Sequence, residues 1–148
     1  MYKTILTPLD GSARAERILP QVEAIAERFG AEIVLLQVIE PASVGITTRD
    51  GSTMVLMGLV DQQISEARAY LEGLRAQIQS RGLQARVLVA YGPPVSIILD
   101  AAEREAADLI AMASHGRTGL ERVFYGSVAA GVLNQASQPL LLIRAQGS

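Results

Sequence analysis

Five short apolar runs, Tyr2 to Pro8, Ile33 to Val38, Ala85 to Ala90, Leu109 to Ala113 and Leu140 to Ile143, stand between polar or turn residues. Near-continuous runs of this length predict strands covered on both faces, as in a parallel sheet. The segments between them carry apolar residues at helical spacing. After Ser12, a candidate N-cap, Ile18, Leu19, Val22, Ile25, Ala26 and Phe29 share one helical face, and Gly30 stands where a C-terminal cap belongs. Pro20 falls inside that stretch, where it removes an amide donor and crowds the carbonyl of Glu16, so the helix either kinks or starts later. Val60, Ile64, Ala67, Leu71, Leu74 and Ile78 mark a second helix ending at Gly82. Pro94 opens a third, with Val95, Ile98, Leu99 and Ala102 on one face, and Ser127 opens a fourth carrying Val128, Val132 and Ala136.

The order βαβαβαβαβ predicts an α/β fold: an open parallel sheet with helices on both faces, joined by right-handed crossovers, in one domain over residues 1–148. Two connections are too long for plain turns, Pro41 to Ser52 after the second strand and Ser114 to Tyr125 after the fourth. In open α/β sheets ligands sit beyond the carboxyl ends of the strands where the strand order reverses, and both long connections leave from that end.

Composition narrows the function classes. The chain has 148 residues, 49% of them hydrophobic and 19% charged, which suits a globular domain and argues against disorder. No cysteine is present, so disulfides, thiolate metal sites and cysteine nucleophiles are excluded, and a cytoplasmic setting is expected. A net charge of −2 gives no support to a nucleic-acid partner. The longest apolar stretch, Met54 to Val60, falls far short of the roughly 20 residues a spanning helix needs. Pro8 and Asp10 interrupt the opening run before it becomes a signal-peptide core, so no membrane role is expected.

Candidate chemistry concentrates in Ala113-Ser114-His115-Gly116-Arg117-Thr118-Gly119, which follows a strand, and in Gly126-Ser127, which opens a helix. Glycines allow close backbone approach and positive φ, and a helix start offers unpaired amides with a partial positive charge. Together with Arg117 these features describe an anion cradle, although Gly116 and Gly119 can equally shape a loop and Ser127 cap its helix. Asp10, just past the first strand and followed by Gly11 and Ser12, can accept ribose hydroxyls, help hold a metal on phosphates, or cap the first helix. His115 is the only histidine, so neither a serine triad nor a two-histidine zinc site can be assembled, and no catalytic residue is named. A Walker loop and a dinucleotide glycine triplet after the first strand are both absent.

The stretch Ala113 to Val128 resembles the nucleotide loop of the universal stress protein family, whose pattern is Gly, two residues, Gly, nine residues, then Gly and Ser or Thr. Gly116 falls on the second glycine, Arg117 to Tyr125 supply the nine residues, Gly126-Ser127 close the pattern, and Ala113 replaces the first glycine. Ile5 to Ser12, Ala107 to Ile110 and Pro139 to Ile143 extend the likeness along the chain. The resemblance implies a Rossmann-like sheet in the order 3-2-1-4-5, akin to the adenine nucleotide alpha hydrolases, with ATP between strands one and four, accompanied by Mg or Mn. It implies a base and ribose side at Pro8, Leu9, Asp10 and Val38. The ribose and phosphates fall to Ala113, Ser114, His115, Gly116, Arg117, Gly119, Gly126, Ser127 and Val128. It also implies a homodimer through Leu140 to Ile143.

Three readings follow. The first is an ATP-binding stress-response regulator whose hydrolysis, if any, is slow. The second is a nucleotide-free interaction protein of the same fold, and the third an ATP-dependent enzyme, whose usual serine-glycine loop or paired histidines this chain lacks.

Overall fold

The computed structural model describes residues 1–41, 53–114 and 126–145, with only the backbone described at 53–56. Five strands, β1 (Thr4–Leu9), β2 (Glu32–Ile39), β3 (Gln84–Tyr91), β4 (Leu109–Ala113) and β5 (Leu140–Ile143), form one sheet in the order β3-β2-β1-β4-β5. Every pairing is parallel. This is the predicted strand order. β1 begins two residues later and ends one later than the apolar run, because pairing with β2 sets its limits from Thr4↔Glu32 to Leu9↔Gln37.

Four helices cover the sheet: α1 (Leu19–Phe29), α2 (Thr53–Ser80), α3 (Pro94–Arg104) and α4 (Ser127–Gln135). Alternate strand residues feed two cores. Ile5, Leu9, Ile33, Leu35, Leu109 and Ala111 meet Val22 and Ala26 of α1 and Leu71, Leu74 and Ile78 of α2. On the other face Leu6, Val34, Leu36, Ile110 and Met112 meet Ile98, Ala101 and Ala102 of α3 and Ala129 and Val132 of α4. Completely burying one such aliphatic side chain contributes about 1.5–3 kcal/mol, so each strand is held from above and below.

The two options at Pro20 resolve into a later start. Ala15–Ile18 forms a 3-10 turn, and α1 begins at Leu19 with Pro20 in its first turn, where no intrahelical donor is required. The second helix is longer than its apolar spacing predicts, starting at Thr53 instead of near Val60. Its buried stripe is confined to Ala67, Leu71, Leu74 and Ile78, while Val60 and Ile64 are half-buried. A helix of 28 residues spans about 42 Å, whereas the eight residues of β2 span about 26 Å, so α2 outruns the sheet it covers.

The amino edge of the sheet is tied by charge. The Asp108 carboxylate accepts from the Lys3 amide at 2.9 and 3.1 Å and from the Thr4 amide at 3.2 Å, joining the start of β1 to the start of β4. Arg86 on β3 bridges Glu32 on β2, at 3.0 Å, and Glu105 just after α3.

Candidate functional site

Strand order reverses between β1 and β4, and the ladder between them ends early. Pairing between β1 and β2 continues to Leu9↔Gln37, and pairing between β4 and β5 continues to Ala113↔Ile143. Pairing between β1 and β4 stops at Leu6↔Ile110. The Ser114 amide goes on to donate to the Ile143 carbonyl at 2.7 Å, so the β4–β5 ladder runs one step past Ala113. The Asp10 turn and Ser114 therefore stand at the carboxyl end of the sheet, on either side of this switch point.

On the β1 side, Asp10 Oδ1 accepts from the Ser12 amide at 2.9 Å and from Ser12 Oγ at 2.6 Å. Ser12 Oγ in turn accepts from the Ala15 amide at 3.1 Å. Ser12 does not cap the first helix as its position suggests, since Ile18 precedes α1 and Arg14 precedes the 3-10 turn; its hydroxyl, braced by Asp10, instead holds the Ala15 amide at the opening of that turn. Gly11, at φ +87°, lets the chain fold back tightly enough for this. The next residue, Glu16, accepts a hydrogen bond from the Tyr70 hydroxyl of α2. Burial, then that bond and the negative charges of Glu16 and Asp10, push the Tyr70 hydroxyl well above its ordinary pKa, so it remains a proton donor. Neither Glu16 nor Tyr70 was singled out from sequence. They lie 54 residues apart, and Tyr70, three residues past Ala67 and four before Leu74, reads from its spacing as apolar packing with no sign of a polar partner.

On the opposite side, Ala113 is the buried last residue of β4, and Ser114 is 3% exposed. The hydroxyls of Ser114 and Thr7 and the side-chain oxygen of Gln37 are buried with no hydrogen-bond partner among the described residues. All three belong to the carboxyl half of the sheet, whereas buried polar atoms ordinarily find partners.

The start of α4 also differs from the capping alternative. Gly126 occupies the position before the helix, at φ 71° and ψ 159°, and Ser127 is the first helical residue, so Ser127 does not cap. The helical ladder begins with the Ala130 amide donating to the Gly126 carbonyl at 3.0 Å, leaving the amides of Ser127, Val128 and Ala129 ahead of it. Gly131 lets α4 approach α3 closely, since a Cβ there would lie 2.7 Å from a Val95 methyl.

Pro8 and Leu9 end β1, both buried. Val38, half-buried, is the next-to-last residue of β2, one position past the Leu9↔Gln37 pair. His115, Gly116, Arg117 and Gly119 lie outside the described residues. No group of three His, Cys, Asp or Glu side chains suited to a metal ion gathers among the described residues, and no described helix is long and apolar enough to cross a membrane. A shallow groove lined by Pro20, Glu23, Ala24, Glu27, Arg81 and Leu83 lies towards the amino end of the sheet, and the Arg81 to Glu23 ion pair at 2.8 Å spans it.

Comparison with known proteins agrees with this fold. The Universal stress protein family matches residues 1–144. Universal stress protein MJ0577 of Methanocaldococcus jannaschii is 30% identical, over 100% of this chain and 98% of its own length. Its solved structure superposes with a TM-score of 0.88, covering 100% of this chain and 99% of that one. UspA from Lactobacillus plantarum, 25% identical, superposes at 0.84 over 97% of this chain and 98% of its own. A universal stress protein from Archaeoglobus fulgidus, solved in complex with dAMP, shares the fold at 20% identity and a TM-score of 0.62, with 97% of this chain and 98% of that one covered. Sheet order, covering helices and whole-length similarity converge: the chain belongs to the universal stress protein family.

Proposed function

We propose that this chain, as one domain, binds an adenine nucleotide, ATP foremost, in the cleft between β1 and β4 and acts as a regulatory stress-response protein in the cytoplasm. The observation that carries the reading is the parted seam: two flanking ladders run on while the central one stops, at the switch point where α/β sheets take ligands. The dAMP-bound relative supports the nucleotide class.

In this reading Pro8, Leu9, Asp10 and the main chain of Val38 meet the base and ribose. Ala113 and Ser114 line the opposite wall, with His115, Gly116, Arg117 and Gly119 completing the loop. The amides of Ser127 and Val128 beyond Gly126 take phosphate oxygens, each such charge-assisted bond contributing about 1.5–3 kcal/mol. The buried Ser114 hydroxyl, without a described partner, fits a ligand oxygen. A Mg or Mn ion would be carried mainly on the phosphates, since no protein cage gathers among the described residues. In this reading the output is the bound state, and any hydrolysis is slow.

The outer edge of β5 joins two copies: all four of its side chains are half-buried, and pairing with a twin would cover them. Calorimetric titration with Mg-ATP tests the nucleotide reading. Saturable 1:1 binding is expected, and absence of heat at millimolar nucleotide overturns it. Light scattering tests the dimer, which Leu141→Lys should convert to monomer.

A further inference from the structure

We infer that Pro8 is the residue that parts the β1–β4 seam, making it a positioning residue for the nucleotide; the second half of this inference rests on the nucleotide-binding reading above. Backbone groups of successive strand residues face alternate neighbours. On β1 the Lys3 carbonyl accepts from the Glu32 amide at 2.9 Å, on the β2 side, and the Thr4 carbonyl accepts from the Asp108 amide at 3.0 Å, on the β4 side. Counting on by twos, Thr4, Leu6 and Pro8 all turn towards β4. On β4 the Ile110 amide donates to Pro139 at 2.9 Å and the Ser114 amide to Ile143 at 2.7 Å, so even-numbered residues turn towards β5. Leu109, Ala111 and Ala113 therefore turn towards β1.

The link due after Leu6↔Ile110 is an N–H of residue 8 donating to the Ala111 carbonyl. Proline has no N–H to give. The flanking ladders run past this level, β1 pairing with β2 for three more residues and β4 with β5 for three more. Proline within sheets is ordinarily confined to edges, bulges and strand starts, yet Pro8 is the fifth of six residues in the central strand of five. Its absent donor leaves the Ala111 carbonyl short of its ladder partner and turned to the cleft, where a nucleotide hydroxyl or amino group can meet it.

Pro8→Ala supplies the missing amide, and Pro8→Val, a stronger strand former, supplies the same amide with a different side chain. In nitrogen-15-labelled variants without nucleotide, the new residue-8 amide is expected to exchange at least 100-fold more slowly than an open amide. Mg-ATP affinity is expected to fall at least tenfold and by similar factors in both variants, with the urea midpoint unchanged. An unprotected residue-8 amide overturns the assignment of the parted seam to Pro8. A protected amide with wild-type affinity overturns its positioning role. If the wild-type chain itself takes no adenine nucleotide, the binding reading and the positioning role fail, while exchange at residue 8 still decides what parts the strands.

Discussion

Replacing Gly126 by alanine separates backbone conformation from every other property of the α4 start, and Gly30 in the same molecule provides the control. Gly30 closes α1 at φ 69° and ψ 31°, the left-handed helical region, and nothing lies within 4 Å of a Cβ built there. Gly30→Ala is expected to cost about 1 kcal/mol, and Gly30→Asn only a few tenths, because asparagine tolerates that region. Gly126 shares the same φ, but its ψ of 159° puts it where essentially only glycine is found. Alanine there is expected to cost about 2–3 kcal/mol if the backbone holds, and asparagine gives no relief.

With a urea dependence of about 1.5–2 kcal/mol per molar, the Gly126 variant should unfold at least about 0.5 M earlier than the Gly30 variant. Circular dichroism reads this directly, and a stability of about 5–15 kcal/mol keeps both chains folded in buffer. If the backbone instead rotates to relieve the strain, the first amides of α4 re-aim. Loss of one charge-assisted bond then lowers Mg-ATP affinity by about ten- to a hundredfold. A Gly126→Ala protein that matches Gly30→Ala in both midpoint and affinity would falsify the argument that this dihedral pair sets the helix start.

Three further outcomes are expected. Tyr70→Phe removes the donor to Glu16 and should destabilise by about 1–2 kcal/mol at neutral pH. Because folding raises the Tyr70 pKa, wild type should hold this advantage below pH ~10 and lose it progressively above, whereas a constant gap up to pH 11 contradicts the bond. Asp108→Asn should cost about 1 kcal/mol and speed exchange at the Lys3 and Thr4 amides selectively, since an amide oxygen accepts more weakly than a carboxylate. Gly131→Ala drives a methyl to 2.7 Å from Val95 and should lower stability by about 1–2 kcal/mol, with Val95→Ala in the double variant recovering part of the loss; simple additivity would refute the contact.

The strands were legible because burial on both faces leaves an unbroken apolar run, as in Leu109 to Ala113, whose five residues are all buried. Gly30 likewise announced the end of α1 through the one conformation that favours glycine. The start of α2 escaped because Met57 and Gly58 are exposed and Leu59 and Val60 only half-buried, so no buried stripe marks the helix before Ala67. The Asp10 turn was visible as a cluster of turn formers, but its bond through Glu16 to Tyr70 depends on how α2 crosses the sheet, which no local pattern encodes. The consequence of Pro8 was hidden for a related reason. Which neighbour a residue faces is set by pairing with a strand some hundred positions later.

That separation bears on how the chain is made. β1 is first in sequence but central in space, and the carboxylate that fastens its opening amides to β4 is residue 108. A nascent chain can therefore zip β1 to β2 once Ile39 is made, but about 70 more residues must follow before β4 begins at Leu109, and until then one flank of its innermost strand is bare. Ribosomal pausing or truncation between β3 and β4 would leave that flank open to strands of other chains, making late synthesis the most aggregation-prone interval in the life of the molecule.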